Sequence, residues 1–265
     1  MAPSHPHANP EGHSGVRDDS SEPPIRQPAE GRTVIAVMSG LQDEIQKLVE
    51  SITVVEQKKA LDRTIYCGEF EGQKTFVVGS GVGKVRASAF AQHLIDRYDV
   101  KSMIVFGLAG ALDTSLAIGD VVVSRDAVMH DYDVAGEGVN ENIAIGPIRA
   151  DPRLMELALH AGRRVACGEE VRLGTILTGD VAVASTERRM ALRDQFGGDC
   201  VEMEGAAAAL VCALNEIPFV IVRTISDLAD ELAHKQFEET FARTSSRSAD
   251  VVLEMLRMMS QSIAE

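Results

Sequence analysis

The chain has 265 residues, 45% of them hydrophobic, which is enough to bury one large core or two modest ones. Its formal charge of −14 argues against a phosphate-tracking groove, so neither nucleic acid nor an anionic membrane is expected as a partner. No apolar run approaches the roughly 20 residues needed to cross a bilayer and no signal-like segment opens the chain, so a soluble, cytoplasmic protein is expected.

Residues 1–32 stand apart from the rest. Pro3, Pro6, Pro10, Pro23, Pro24 and Pro28 lie among Ser, Gly, His and acidic residues, with only Val16 and Ile25 as large aliphatic side chains after the first Met, and a disordered tail is expected. His5, His7 and His13 are too loosely spaced there for a defined metal site. From residue 33 to 265 the pattern reads as one α/β domain, a mixed, largely buried central sheet flanked by helices. Thr33–Met38 reads as a strand, Leu41–Glu50 as a helix, Ile65–Val78 as a hairpin turning at Glu71-Gly72-Gln73, and Val85–Tyr98 as a helix. Met103–Phe106 is a buried strand running into Gly107-Leu108-Ala109-Gly110, and Gly119–Met129 is a longer strand opening onto His130-Asp131-Tyr132-Asp133. Arg153–Arg163, Glu170–Leu177 and Glu187–Gln195 continue the α/β order, and Phe237–Met259 completes it. Between them, Ala206–Leu214 has the composition of an apolar helix and Pro218–Ile225 that of a buried strand. Cys67, Cys167, Cys200 and Cys212 have neither metal-type nor C-x-x-C spacing and read as reduced structural thiols.

Two glycine clusters follow strands. Gly79-Ser80-Gly81-Val82-Gly83-Lys84 fails the phosphate-loop pattern, because Val78 stands at the first glycine position and Val85 follows Lys84. It fails the dinucleotide pattern too, whose third glycine would fall at Lys84. Like Gly107-Leu108-Ala109-Gly110, it offers a backbone that a ligand or a neighbouring strand can approach closely, and tight packing alone would also account for both.

Three acids stand where an α/β sheet collects ligands, at the ends of strands. Glu44 follows the first strand by the short turn Ser39-Gly40-Leu41-Gln42-Asp43 and is placed in the first turn of a helix; Glu204 enters the helix at Ala206, and Asp227 leaves the strand ending at Ile225. Glu204 taken alone would be explained by the helix dipole. Cleaving a glycosidic bond to nitrogen asks for an acid at the leaving base, a base for water and an acceptor for the ribose hydroxyls, and three differently tuned carboxyl groups suit that division.

Ser39-Gly40-Leu41-Gln42-Asp43-Glu44, Ser80-Gly81-Val82-Gly83-Lys84-Val85, Gly119-Asp120-Val121-Val122, Thr178-Gly179-Asp180, Val201-Glu202-Met203-Glu204-Gly205-Ala206 and Ile225-Ser226-Asp227 resemble, in order, the motifs of the methylthioadenosine/S-adenosylhomocysteine nucleosidases of the nucleoside phosphorylase superfamily. The resemblance runs from Thr33 into the last helix. It implies that Asp227 protonates the leaving adenine at N7, that Glu44 holds the attacking water with Arg223 as an orienting group, and that Glu204 accepts the ribose 2′- and 3′-hydroxyls. It places Met203 along the sugar, Glu202, Val183 and Gly110 in the pocket wall, and Phe237 in the 5′ part of the pocket. It implies a homodimer; nothing in the sequence demands a metal, and no cofactor is expected.

Hydrolysis is favoured over phosphorolysis, because Phe106-Gly107-Leu108-Ala109-Gly110 supplies neither Arg nor Ser for a phosphate and Glu44 would repel one. Arg86 reads as a solvated charge within its helix. Against the family pattern, Leu108 replaces a Ser, Ala111 a Gly and Ala182 an aromatic residue, while Glu137 and Val139 occupy the region that otherwise lines the 5′ group. The base and the 5′ substituent therefore stay open, as do a phosphate-dependent phosphorylase and a hydrolase for another purine nucleoside. His130 and Asp131 suit substrate contact or a turn at a subunit contact, Asp180 suits a turn amide, and Met255, Met258 and Met259 read as core or interface.

Overall fold

The computed structural model describes residues 34–132 and 146–264. The tail expected over residues 1–32, and Asp133, Glu137 and Val139, lie outside the described residues. Among the described residues, ten strands and six helices follow one another, in the order β1 (Val34–Ser39), α1 (Gln46–Ser51), β2 (Thr53–Ala60), β3 (Arg63–Phe70), β4 (Gln73–Gly79), α2 (Lys84–Tyr98), β5 (Val100–Ala111) and β6 (Val121–Met129). The second half continues with β7 (Ile148–Arg149), α3 (Pro152–Val165), β8 (Val171–Thr178), α4 (Thr186–Phe196), β9 (Cys200–Glu202), α5 (Gly205–Leu214), β10 (Phe219–Asp227) and α6 (Ala233–Ala264).

The sheet runs β10-β6-β8-β9-β5-β1-β4-β3-β2, and β10 also pairs with β5. That extra pairing closes β10, β6, β8, β9 and β5 into a ring, from which β1, β4, β3 and β2 extend as an open wing. β1, β5 and β10 are mutually parallel and buried, as expected for continuous apolar runs such as Val-Ile-Ala-Val-Met and Phe-Val-Ile-Val. Helices cover the sheet in pairs, α2 against α5 and α3 against α6, with α6 lying on β5 and β10.

The sequence reading departs from this fold in several places, and the short strands β7 and β9 were not read. Leu41–Glu50 is helical only from Gln46; residues 42–45 form a turn, because the Glu44 carboxylate folds back on the Leu41 N–H before helical bonding begins. Gly107-Leu108-Ala109-Gly110 does not leave β5 as a loop but stays in the strand, paired with Arg223–Asp227 of β10. β2 was not read at all: it is the edge strand of the wing, its side chains mostly exposed, so no buried apolar face marks it. The Glu71-Gly72 hairpin turn is present, with φ of +47° and +84° at its two central residues. Met255 is fully buried, and Met258 and Met259 pack against the same core.

Candidate active site

β1, β5 and β10, being parallel, deliver their C-terminal ends to one side of the sheet, and β9 delivers the start of α5 to the same place. A cavity opens there, at the place where α/β sheets collect small-molecule ligands. Every residue that the resemblance assigned to the site lines it: Glu44, Gly110, Val183, Glu202, Met203, Glu204, Arg223, Asp227 and Phe237. Leu108 and Ala182, two of the departures from the family pattern, line it too.

Glu44 is held by the turn after β1. The Ser39 hydroxyl and the Leu41 N–H, the latter at 3.1 Å, both donate to its Oε2. Burial raises its pKa above the ordinary carboxylate value, against the lowering effect of the Ser39 donor and the Arg223 charge. Gly107 makes room for this group: its φ is +144°, and a Cβ there would collide with Arg223 Nη1 and lie 3.2 Å from both Glu44 oxygens.

Glu202 is the acid most completely engaged by the protein. Thr178 Oγ1 donates to Oε1, Arg223 donates to Oε2, and the Glu204 and Gly205 N–H groups donate at 3.0 and 2.8 Å. Its carboxylate thus compensates the first amides of α5 and the buried guanidinium together. Arg223 Nη1 donates in turn to the Phe106 carbonyl at 2.9 Å, and Nη2 lies 3.7 Å from Glu204 Oε2. Burial opposes the Arg223 charge, but Glu202, Glu204 and Glu44 outweigh it and hold the guanidinium above its usual range.

Glu204 occupies the N-cap position of α5 without capping it, and its carboxylate points into the cavity region instead. The Gly83 N–H donates to Oε1 at 2.9 Å, and Gly40 lies so close that a Cβ there would come within 3.0 to 3.2 Å of the carboxylate. Burial, then the neighbouring Glu202 charge, push the Glu204 carboxyl up.

Asp227 ends β10 just after a register shift between Ile225 and Asp227, which re-aims the side chain at the strand end. Its Oδ2 accepts from the Ser226 hydroxyl at 2.8 Å and its Oδ1 from the Ala229 N–H at 2.9 Å. Burial raises its pKa despite both donors. Gly110, its partner on β5, leaves the space: a Cβ would stand 2.8 Å from Asp227 Oδ1.

Residues that the sequence reading treated as bystanders divide clearly. Arg86 is exposed and ion-paired with Asp62 at 2.7 Å, away from the cavity lining. His130 is buried against Gly179 and Phe196, and Asp131 pairs with Lys84 at 2.6 Å; neither lines the cavity. Asp180 accepts the Lys84 N–H at 2.9 Å, an amide 96 residues away and not one of its own turn. Ser39, Thr178, Gly83 and Ser226, which hold the acids, carried no signal beyond membership in motifs, and His234, on the cavity wall, carried none. Among the described residues no group of three or more His, Cys, Asp or Glu is placed to hold a metal ion, and no helix is long and apolar enough to cross a membrane.

The profile of the phosphorylase superfamily matches residues 34–257. A 5′-methylthioadenosine/S-adenosylhomocysteine nucleosidase of Staphylococcus carnosus is 34% identical over 232 residues, 85% of this chain and 100% of the relative. An aminodeoxyfutalosine nucleosidase of Campylobacter jejuni is 29% identical over 224 residues, 83% of this chain and 97% of the relative. The crystal structure of a Neisseria meningitidis 5′-methylthioadenosine/S-adenosylhomocysteine nucleosidase in complex with methylthio-immucillin-A superposes with a TM-score of 0.81 at 33% identity, covering 85% of this chain and 99% of that one. With matching motif order, sheet topology and near full-length similarity, the chain belongs to the phosphorylase superfamily, alongside its 5′-methylthioadenosine/S-adenosylhomocysteine nucleosidases.

Proposed function

We propose that this chain hydrolyses the N-glycosidic bond of a 5′-modified adenine nucleoside, methylthioadenosine or S-adenosylhomocysteine, releasing adenine and the thioribose. The observation that carries the reading is the convergence of Glu44, Glu204 and Asp227 on one cavity, each raised in pKa by burial. Asp227 is assigned the proton that the leaving base takes at N7, a form that its burial favours. Glu44, held through Oε2 by Ser39 and Leu41, is assigned to the attacking water. Glu204 takes the ribose 2′- and 3′-hydroxyls, whose donors compensate its burial, and Met203 packs along the sugar. Arg223 orients through its contacts with the acids. Each proton-transfer role is typically worth about 10² to 10⁴ in rate.

Water is favoured over phosphate as the acceptor because Arg223, the one guanidinium of the lining, is already paired with Glu202 while three further carboxylates face the same space. The 5′ substituent is assigned to the side of Val183 and Phe237. A homodimer is part of the same proposal, supported by the exposed Val82 and Val181 on the cavity rim, 46% and 69% accessible in the single chain. Cytoplasmic residence is supported by four unpaired cysteine thiols.

The test is base release from methylthioadenosine, S-adenosylhomocysteine, aminodeoxyfutalosine, adenosine and inosine, each with and without phosphate, with both products resolved by chromatography. Free adenine and free thioribose without phosphate are expected. Turnover that requires phosphate and yields a ribose 1-phosphate would overturn hydrolysis, and release of hypoxanthine alone would overturn the choice of base.

A further inference from the structure

The Glu204 carboxylate is steered by a backbone amide, that of Gly83, so what holds Gly83 also holds Glu204. Gly83 sits in the turn between β4 and α2, with φ of +103°, and Gly81 beside it has φ of +88°. On its inner side this turn is pinned to the chain after β1, by the Ser80 N–H on the Ser39 carbonyl at 2.8 Å and the Gly81 N–H on the Gly40 carbonyl at 2.9 Å. On its outer side the pinning falls to Lys84. α2 has no side-chain cap of its own, and the Lys84 N–H finds its acceptor in Asp180 Oδ1 at 2.9 Å, on the loop after β8.

The Lys84 side chain completes a ring. Its Nζ lies 2.6 Å from Asp131 Oδ1 and 3.7 Å from Asp180 Oδ2, and the other Asp131 oxygen accepts the Asp180 N–H at 3.0 Å. Three loops, those leaving β4, β6 and β8, therefore meet at one ammonium group. The Lys84 and Asp131 side chains are 20% and 25% exposed, so the pair is partly sheltered from screening. Residues 181–184, which follow Asp180, form part of the cavity wall. Two glycines with freely accessible positive φ would otherwise leave the Gly83 amide free to turn away from Glu204.

We propose that Lys84 is a positioning residue for Glu204: through the ring with Asp131 and Asp180 it ties the Gly81–Gly83 turn to the cavity wall and keeps the Gly83 N–H on the carboxylate that accepts the ribose hydroxyls. This rests on the assignment of Glu204 to the ribose. Lys84 touches no substrate; it acts through the Gly83 amide.

The experiment compares kcat/KM for methylthioadenosine and its 3′-deoxy analogue in wild type, Glu204→Gln, Lys84→Met and Asp131→Asn, with Asp96→Asn, exposed near the far end of the same helix, as a control and thermal unfolding to verify each fold. Wild type and Asp96→Asn are expected to prefer the hydroxylated substrate strongly, and Glu204→Gln to lose that preference. Lys84→Met and Asp131→Asn are expected to keep turnover of the deoxy analogue while the preference falls about tenfold, the worth of one misplaced hydrogen bond to a charged group. An inactive wild type, or an intact preference in Glu204→Gln, overturns the ribose assignment and the tie with it. Loss of preference in Glu204→Gln beside an intact preference, or an equal loss on both substrates, in Lys84→Met and Asp131→Asn overturns the tie alone.

Discussion

Glu202→Gln isolates the electrostatic job of the most enclosed acid in the site. The substitution keeps the volume and removes one charge. Four donors face the native carboxylate: the Thr178 hydroxyl, the Glu204 and Gly205 amides and Arg223. The glutamine amide can place its oxygen toward Arg223 and the two N–H groups, and its NH₂ toward Thr178, whose hydroxyl can turn because it already accepts the Ala206 N–H on another lone pair. Geometry is therefore largely retained, and the loss comes from the guanidinium. Arg223 is 1% exposed, and Glu204 at 3.7 Å becomes the nearest remaining anion. Removing one partner of a buried pair costs about 3 to 5 kcal/mol, a large share of the roughly 5 to 15 kcal/mol that a folded domain has. For a chain of this size that is a fall in Tm on the order of 6 to 20 °C. Calorimetry of Glu202→Gln, Arg223→Met and the double variant measures it. The double variant is expected to be no less stable than Glu202→Gln, because the stranded charge has gone with the guanidinium. A fall of less than about 2 °C, or strictly additive effects, would refute the assignment of Glu202 as the counter-charge of Arg223.

Asp227→Asn is expected to lower base release by about 10² to 10⁴ with little change in Tm, since an amide oxygen still accepts from Ala229 and the Ser226 hydroxyl can turn; near-normal turnover would sink the proton-donor role. Ser39→Ala removes a donor that favours the ionised form of Glu44, so the Glu44 pKa rises further. In the proposed role of base Glu44 must be ionised, and the acidic limb of the kcat/KM profile is expected to move to higher pH; an unmoved limb would show that Ser39 does not tune the base. A chain lacking residues 1–32 is expected to release base at the full-length rate, and a folded but inactive truncated chain would show that this segment takes part in function.

Much of the site was legible because its chemistry is local. Glu44, Glu204 and Asp227 each stand where an apolar strand or helix begins or ends, and that boundary is written in neighbouring residues. β1, β5 and β10 were readable for the same reason, as buried strands that need unbroken apolar runs. The edge strand β2 was not, since a strand with one free edge and exposed faces leaves no hydrophobic pattern. Gly107 and Gly110 were marked as places of close approach, but only the register of β5 on β10 shows what approaches: Arg223 and Glu44 at the first, Asp227 at the second.

By itself the sequence determined the fold class and marked the candidate acids, because each depends on residues close along the chain. Only the tertiary structure decided what those acids are to one another. Glu202 and Glu204 differ by two positions yet face different partners, one consumed by Arg223 and the α5 amides, the other left toward the cavity on the Gly83 amide. Burial and donors that the fold brings in set that difference, Gly83 from 121 residues away for Glu204 and Arg223 from 21 residues away for Glu202.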